Sequence, residues 1–170
     1  MSEIGDIIQG KCLAFSDRVI KLNDDLLEQA SMHRSEGKPH PSSLNPQPSS
    51  FSPQPSSFSP QPSYLSPQPS HVPVHLQSVA ALANQLLRSG TSIGANNAEA
   101  TNAVSKADFK SKSYIALKEA RESLYWLELL HRNSYLTDEQ FNSIYADCEE
   151  LVKLFVHRCK KLDEQLSKVK

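Results

Sequence analysis

The chain has 170 residues and a formal net charge of −1, with 22% charged and 38% hydrophobic residues. One domain is the prior for this length, and the near-neutral charge argues against a generally basic nucleic-acid-binding protein or a polybasic membrane protein. No apolar run approaches the ~20 residues of a membrane span, and the acidic N-terminal sequence lacks the bases of an export signal. The odd count of three cysteines, with no disulfide framework, fits a reduced cytoplasm.

Helix 1 is predicted from about Ile4 to Gln29, within a first segment of residues 1–30, because apolar residues recur there at helical spacing. The recurring residues are Ile4, Ile8, Cys12, Phe15, Val19, Leu22 and Leu26.

Residues 31–73 are predicted to be a disordered insertion rich in Pro, Ser and Gln. All 11 prolines fall between Pro39 and Pro73. Near-repeats of seven residues at 45–51, 52–58, 59–65 and 66–72 each hold two prolines, which excludes a helix. Two interpretations remain open: an extended tether that binds a partner, or a repeat expansion tolerated in a surface loop, where added length costs little.

Residues 74–170 are expected to supply the other helices of the same bundle. Helix 2 is predicted to start after Pro73 and to run to about Asn102. Within it Gly90, Gly94 and Ala98 are four residues apart, which places small residues on one face. This spacing favours close approach of another helix, the alternative being a kink with no special role.

Helix 3 is predicted to begin after Ser105, which is a good N-cap residue. The side chain of Asp108, three residues later, can accept a hydrogen bond from the backbone N–H of Ser105. Neither Pro nor Gly occurs from Ser105 to Leu136. Apolar residues lie on more than one side of this helix, so it is either central in the bundle or uses a second face for another subunit.

Helix 4 is predicted to begin at Thr137, with Gln140 completing a capping box. The 4-3 spacing of its apolar residues from Phe141 to Leu166 is typical of a bundle seam. With short second and third connections, the fold class predicted is all-α, an antiparallel up-down four-helix bundle.

One face of helix 3 is the best functional candidate, because bases alternate there with aromatic residues that can stack on unpaired nucleobases. The candidate nucleic-acid-binding residues are Lys110, Tyr114, Lys118, Arg121, Tyr125 and Arg132, with Arg88 as a further one. The alternative is a solvated face whose bases pair with glutamates such as Glu122. Arg88 either joins this surface, pairs with Glu99 or contacts another subunit.

Catalytic and metal-binding motifs are weak. Glu128 and His131 form the E-x-x-H unit of di-iron bundles, but a second unit and the additional glutamates are missing. No nucleophile elbow, P-loop or dinucleotide-binding glycine pattern occurs. We therefore expect no enzyme, no metal, no cofactor and no small-molecule substrate.

Two segments carry a resemblance: LLRSGTSIGANNAEA at 86–100 and SKADFKSKSYIALKEARESLYWLELLHRNSYL at 105–136. They closely resemble the bacterial four-helix-bundle family of 23S rRNA intervening-sequence proteins, which includes the accessory variability determinants of diversity-generating retroelements. The resemblance covers roughly residues 4–29 and 74–166. The residues that match the family signature are Arg88, Ser92, Ile93, Asn96 and Glu99.

The resemblance implies a four-helix bundle that assembles as a homopentamer. For the retroelement members it also implies a basic surface that binds nucleic acid and a reverse transcriptase. This chain departs from the pattern in its near-neutral charge, in its Pro-rich insertion and at Asn97, where the family usually has an aliphatic residue. A polar side chain there either lies at a wet edge or needs a buried partner.

The sequence is therefore interpreted as a non-enzymatic, cytoplasmic, homo-oligomeric helical scaffold. Its expected partners are structured RNA or DNA and a reverse transcriptase, with no membrane contact. The alternative is an intervening-sequence-encoded protein, or a protein–protein adaptor that makes no nucleic-acid contact.

Overall fold

The computed structural model describes residues 3–32 and 74–168, which form an all-α bundle. Its helices are α1 (Glu3–Met32), α2 (Val74–Thr101), α3 (Lys106–Arg132) and α4 (Asp138–Ser167). The predicted fold class is thus confirmed. The Pro-rich insertion lies, from residue 33 to residue 73, outside the described residues. None of the described helices combines the length and the apolar character needed to cross a bilayer.

Consecutive helices run antiparallel. Gln9, near the start of α1, lies beside Asn97, near the end of α2. Tyr114, in the first half of α3, lies beside Asp163, near the end of α4. The helix α2 packs along both α1 and α3, whereas α4 packs along α3 and meets α1 over a shorter stretch. The pairs α1/α3 and α2/α4 are therefore the diagonals of the bundle, and the outward faces of α1 and α3 point to opposite sides.

The N-caps of α3 and α4 are those predicted from the sequence, except for the hydrogen-bond partner of Asp108. Ser105 Oγ accepts a hydrogen bond from the N–H of Asp108 at 3.1 Å, as predicted. The Asp108 carboxylate, however, accepts from the N–H of Val104 at 3.2 Å, one residue before the expected Ser105. Thr137 and Gln140 form the predicted capping box, since each side chain binds the other residue's backbone N–H.

Helix α3 ends at Arg132 although no Pro or Gly stops it. Ser134 adopts a left-handed conformation with φ of 60°. This turn lets the N–H of Tyr135 reach the carbonyl of Leu130 at 2.9 Å, which satisfies a carbonyl that the helix end leaves free. The chain then reverses over a few residues into α4, which fixes the two helices side by side.

The core runs the length of the bundle and draws on every helix. The inner face of α4 keeps the predicted 4-3 spacing, but Phe141, Tyr145 and Val152 are half-buried at its edge. Ile144 and Leu151, one residue before Tyr145 and Val152, are buried instead. The buried apolar residues of α4 are Ile144, Cys148, Leu151, Phe155, Cys159 and Leu162.

The three cysteines are unpaired and buried in this core. Burial raises the pKa of the Cys12 thiol to about 11, and the nearby Arg158 guanidinium opposes that rise only in part. Burial, with the negative charges of Asp147 and Glu149, raises the pKa of Cys148 to about 12. At neutral pH these thiols are protonated and serve as small apolar side chains.

Helices α1 and α2 approach closely at the glycines of α2. A Cβ placed on Gly90 would lie 3.0 Å from Val19 Cγ2, and one on Gly94 would lie 3.4 Å from Cys12 Cβ. The predicted close approach is therefore confirmed at these two positions. Ala98, the third small residue of the series, is exposed.

Alanine substitutions at glycines of α1 and α2 test this packing. Nothing lies within 4 Å of a Cβ on Gly10, so Gly10→Ala should raise the free energy of unfolding by about 0.5–1 kcal/mol through helix propensity. Gly90→Ala gains the same propensity but crowds Val19, and overpacking costs about 1–3 kcal/mol. We expect Gly90→Ala to be less stable than the wild type by roughly 1 kcal/mol in urea denaturation. A Gly90→Ala protein as stable as Gly10→Ala would contradict the close approach.

Candidate functional site

The predicted helix 3 surface divides into two parts. Lys110 and Tyr114 lean toward α4, where the Lys110 ammonium lies 2.6 Å from Asp163 Oδ1 and the Tyr114 hydroxyl donates to Asp163 Oδ2 at 2.7 Å. The hydrogen bonds from Lys110 and then Tyr114 hold the pKa of Asp163 below its ordinary value. These two candidates are thus engaged within the chain and tie the start of α3 to the end of α4.

The cations in the middle of the same surface make no ion pair with described residues. Lys118 and Arg121 are exposed, and the ion pairs that α3 makes with described residues involve Lys110, Lys112, His131 and Arg132 instead. The alternative of Lys118 paired with Glu122 is not seen among the described ion pairs, and Glu122 instead accepts a hydrogen bond from the Trp126 indole N–H at 3.1 Å. Tyr125 is 56% exposed and meets the Trp126 ring edge-on. We call Lys118, Arg121 and Tyr125 the α3 face.

Arg132 extends past the α3 face at the end of the helix. Its guanidinium lies 3.9 Å from the Glu128 carboxylate. The other oxygen of Glu128 accepts a hydrogen bond from the Tyr145 hydroxyl at 3.2 Å. Arg132 therefore sits beside a fixed negative charge, which weakens its attraction for an external anion.

Arg88 is exposed on α2 and lies near Glu119 of α3. Of the three interpretations, pairing with Glu99 is wrong, because Glu99 forms an ion pair with Lys112. Burial, and then the negative charge of Glu122, raise the pKa of Glu119 above its ordinary value. The positive charge of Arg88 opposes that rise only in part. Glu119 thus places negative charge beside Arg88.

The other matches to the family signature are structural. Ile93 is fully buried in the core. The Asn96 amide donates to the carbonyl of Ser92 at 2.9 Å within the same helix. Ile93 therefore anchors α2 in the core, whereas the Asn96 amide is used within its own helix.

A polar cluster inside the bundle explains Asn97. Its side chain is 0% exposed, donates to Gln9 Oε1 at 2.5 Å and accepts from Arg158 Nη1 at 2.6 Å. Of the two predicted environments, the buried one with a partner is correct. The Arg158 guanidinium also packs over the rings of Phe109 and Phe155, at 5.5 and 5.2 Å.

Arg158 is not among the residues that the sequence pattern singled out. Burial lowers its pKa, and no described carboxylate lies within ion-pair distance of it. The sequence held only an indirect sign of Arg158: Asn97, where the family usually has an aliphatic residue, would need a polar partner if it were buried. The cluster holds three helices together, since Gln9, Asn97 and Arg158 belong to α1, α2 and α4.

A second surface was also missed. Leu13, Ile20 and Leu27 are 56%, 43% and 40% exposed, and their spacing of seven residues puts them on one side of α1. Asp17 and Asp24 are exposed between them. We call these five residues the α1 face. The signal in the sequence was a second apolar series, offset by one residue from the core series of helix 1.

The E-x-x-H pair is used by the fold. The His131 ring lies 2.7 Å from the Asp138 carboxylate and stacks on Phe141, while Glu128 binds Tyr145. The fold and surfaces define an antiparallel four-helix bundle in whose described part no three His, Cys, Asp or Glu side chains cluster as a metal site.

The comparisons with known proteins identify the family. The profile described as 23S rRNA-intervening sequence protein matches residues 73–157. A crystal structure at 1.70 Å of a protein of unknown function from the S23 ribosomal protein family of Bacteroides thetaiotaomicron VPI-5482 is 32% identical. The alignment covers 92% of this chain and 98% of that one, with a TM-score of 0.61. No curated protein matches. The chain belongs to the 23S rRNA-intervening sequence protein family.

Substitution of Asn97 tests the interior cluster. Asn97→Ala leaves the Arg158 guanidinium and the Gln9 amide without their shared partner, so we expect the free energy of unfolding to fall by about 2 kcal/mol or more. Asn96→Ala is the matched control: it removes only a bond to its own helix and should change stability by less than about 0.5 kcal/mol. Equal stability of the two variants in guanidinium denaturation would show that the cluster contributes nothing.

Proposed function

We propose that this protein is a non-enzymatic helical scaffold that works as an assembly of several copies of itself. The observation that carries the proposal is the exposure of Leu13, Ile20 and Leu27 on one side of α1. Burying apolar surface contributes about 25 cal/mol per Å², and exposed apolar side chains that recur along one side of a helix are typical of a surface that another protein covers.

Two further points support this proposal. The family resemblance implies a ring of five copies. Within residues 3–32 and 74–168, the reactive and polar groups of the core are engaged by the fold: burial keeps the Cys12 and Cys148 thiols protonated, and the Asn97 cluster is satisfied by its own hydrogen bonds. The unpaired buried thiols also favour the cytoplasm as the place where the scaffold works.

Size-exclusion chromatography with light scattering at moderate salt tests the proposal. The expected particle mass is about five times the 18.9 kDa chain mass. The triple variant Leu13→Gln, Ile20→Gln, Leu27→Gln should elute as single chains, because amides replace the apolar contacts. Ala14→Gln, which changes an exposed neighbour, is the control and should keep the assembly. A wild-type protein that remains a single chain would overturn the proposal.

Nucleic-acid binding is the second candidate, favoured by the unpaired Lys118 and Arg121 beside the exposed Tyr125. Two cations and one aromatic ring suit a single-stranded segment better than a duplex groove. A reverse transcriptase as an additional partner rests on the family resemblance. The acidic neighbours Glu119, Glu122 and Glu128 reduce the attraction for phosphate, so self-assembly remains the first proposal.

Titration of a short fluorescent single-stranded RNA separates the two candidates. If the α3 face binds RNA, Lys118→Glu with Arg121→Glu should weaken binding by about tenfold or more, and affinity should fall steeply with salt. Lys160→Glu with Lys161→Glu, on the exposed side of α4, makes the same change of charge elsewhere. Equal weakening by both pairs, or no binding by the wild type, would exclude a specific RNA site on α3.

A further inference from the structure

We propose that the copies join head to tail, with the α1 face of one copy against the α3 face of the next. The inference rests on the proposed self-assembly and names its interface. In this contact Leu13, Ile20 and Leu27 cover Tyr125 and the aliphatic stems of Lys118 and Arg121. The carboxylates on α1 then meet the cations on α3.

Exposed apolar side chains define the two faces. Among the described residues outside α1, the large hydrophobic side chains that are exposed are Val104, in the turn before α3, and Tyr125, on the α3 face. Half-buried Trp126 extends the apolar surface beside Tyr125. Within the described helices other than α1, the α3 face is therefore the surface that offers α1 an apolar partner.

Charge decides between two copies of α1 and an α1–α3 pair. Asp17 and Asp24 lie within the apolar series of α1, so packing α1 on α1 would bring carboxylates together, and like charges at an interface are costly. The α3 face carries Lys118 and Arg121, neither of which is neutralised by a described carboxylate. An α1–α3 contact pairs these opposite charges.

The fold brings complementary residues to the same height. Gly90 of α2 contacts Val19 of α1, and Ser89, the preceding residue, binds Ser123 of α3 at 2.9 Å. Val19 and Ser123 are therefore level along the bundle. Two residues before each of them stand Asp17 and Arg121, and just after them stand Ile20 and Tyr125.

The same height relation holds at the other end of the bundle. Asn97 binds Gln9 of α1, and Glu99, half a turn further along α2, pairs with Lys112 of α3. In a ring whose axis runs along the bundle, neighbouring copies are level with one another. Asp17 of one copy then faces Arg121 of the next, and Ile20 faces Tyr125, within about one helical turn.

The outward directions of the faces determine how such a contact extends. Because α1 and α3 are diagonal in the bundle, their outward faces point to opposite sides. A contact between two different surfaces leaves one of each free on the pair, so further copies add, and they close a ring when the rotation between neighbours returns to the first copy. The contact does not stop at a dimer, in agreement with an assembly of several copies.

Charge exchange tests this interface by the particle mass in light scattering at moderate salt. Asp17→Lys with Asp24→Lys should reduce the mass to that of a single chain, because four cations would then face each other. Lys118→Glu with Arg121→Glu should do the same with the opposite sign. All four substitutions in one chain restore complementarity and should restore the mass of the wild type. Asp25→Lys with Glu164→Lys, exposed acids outside both faces, should leave the mass unchanged.

Each result has a defined meaning once circular dichroism shows wild-type helicity. Restoration in the four-substitution chain supports the α1–α3 contact, since a misfolded variant would not be rescued by two more charges. An assembled wild type whose mass neither pair alters overturns the interface but leaves the proposed function standing. A single-chain wild type overturns both. Loss of RNA binding without loss of mass in Lys118→Glu, Arg121→Glu assigns the α3 face to RNA and overturns the inference.

Discussion

The close approach of α1 to α2 at Gly90 and Gly94 determines which side of α1 is exposed to solvent. Val19 and Phe15 fill the space that a side chain at Gly90 would need, so α1 cannot rotate about its axis without losing that contact. With that side directed at α2, the series Leu13, Ile20 and Leu27 must face away from the core. The contacts of α1 with α4 use Lys11 and Arg18, on the other side of α1, so they do not cover this series. The exposed apolar stripe is thus a direct consequence of how the core is packed.

The polar interior adds a second constraint of a different kind. The Asn97 side chain joins Gln9 and Arg158 across three helices, and removing any partner would leave a polar group buried without a hydrogen bond. Apolar packing alone tolerates sliding of one helix along another. A hydrogen-bonded cluster opposes such sliding, because its hydrogen bonds form at only one register of the helices. The glycine contact sets the rotation of α1, and the cluster sets its height, so both determine which residues of α1 and α3 lie level.

The helices and their caps were predictable because they depend on neighbours within a few residues: the core series of helix 1, the Ser105 cap and the Thr137 capping box all appear as local patterns. The α3 surface was predicted only in part, since Asp163, which engages Lys110 and Tyr114, lies far along the chain on another helix. Arg158 was missed for the same reason. The pattern of helix 4 alone predicts a solvated side chain for Arg158. The fold places it beside Asn97 and against two aromatic rings.

Disulfide trapping between copies tests the head-to-tail contact most directly, because the native cysteines are buried and held protonated. An Ile20→Cys protein is mixed with a Tyr125→Cys protein, and the mixture is oxidised and separated without reductant. The account predicts covalent dimers containing one copy of each variant, and a ladder of longer products when both substitutions are in one chain. Cross-linking of Ile20→Cys protein with itself, or the absence of any mixed dimer, would contradict it.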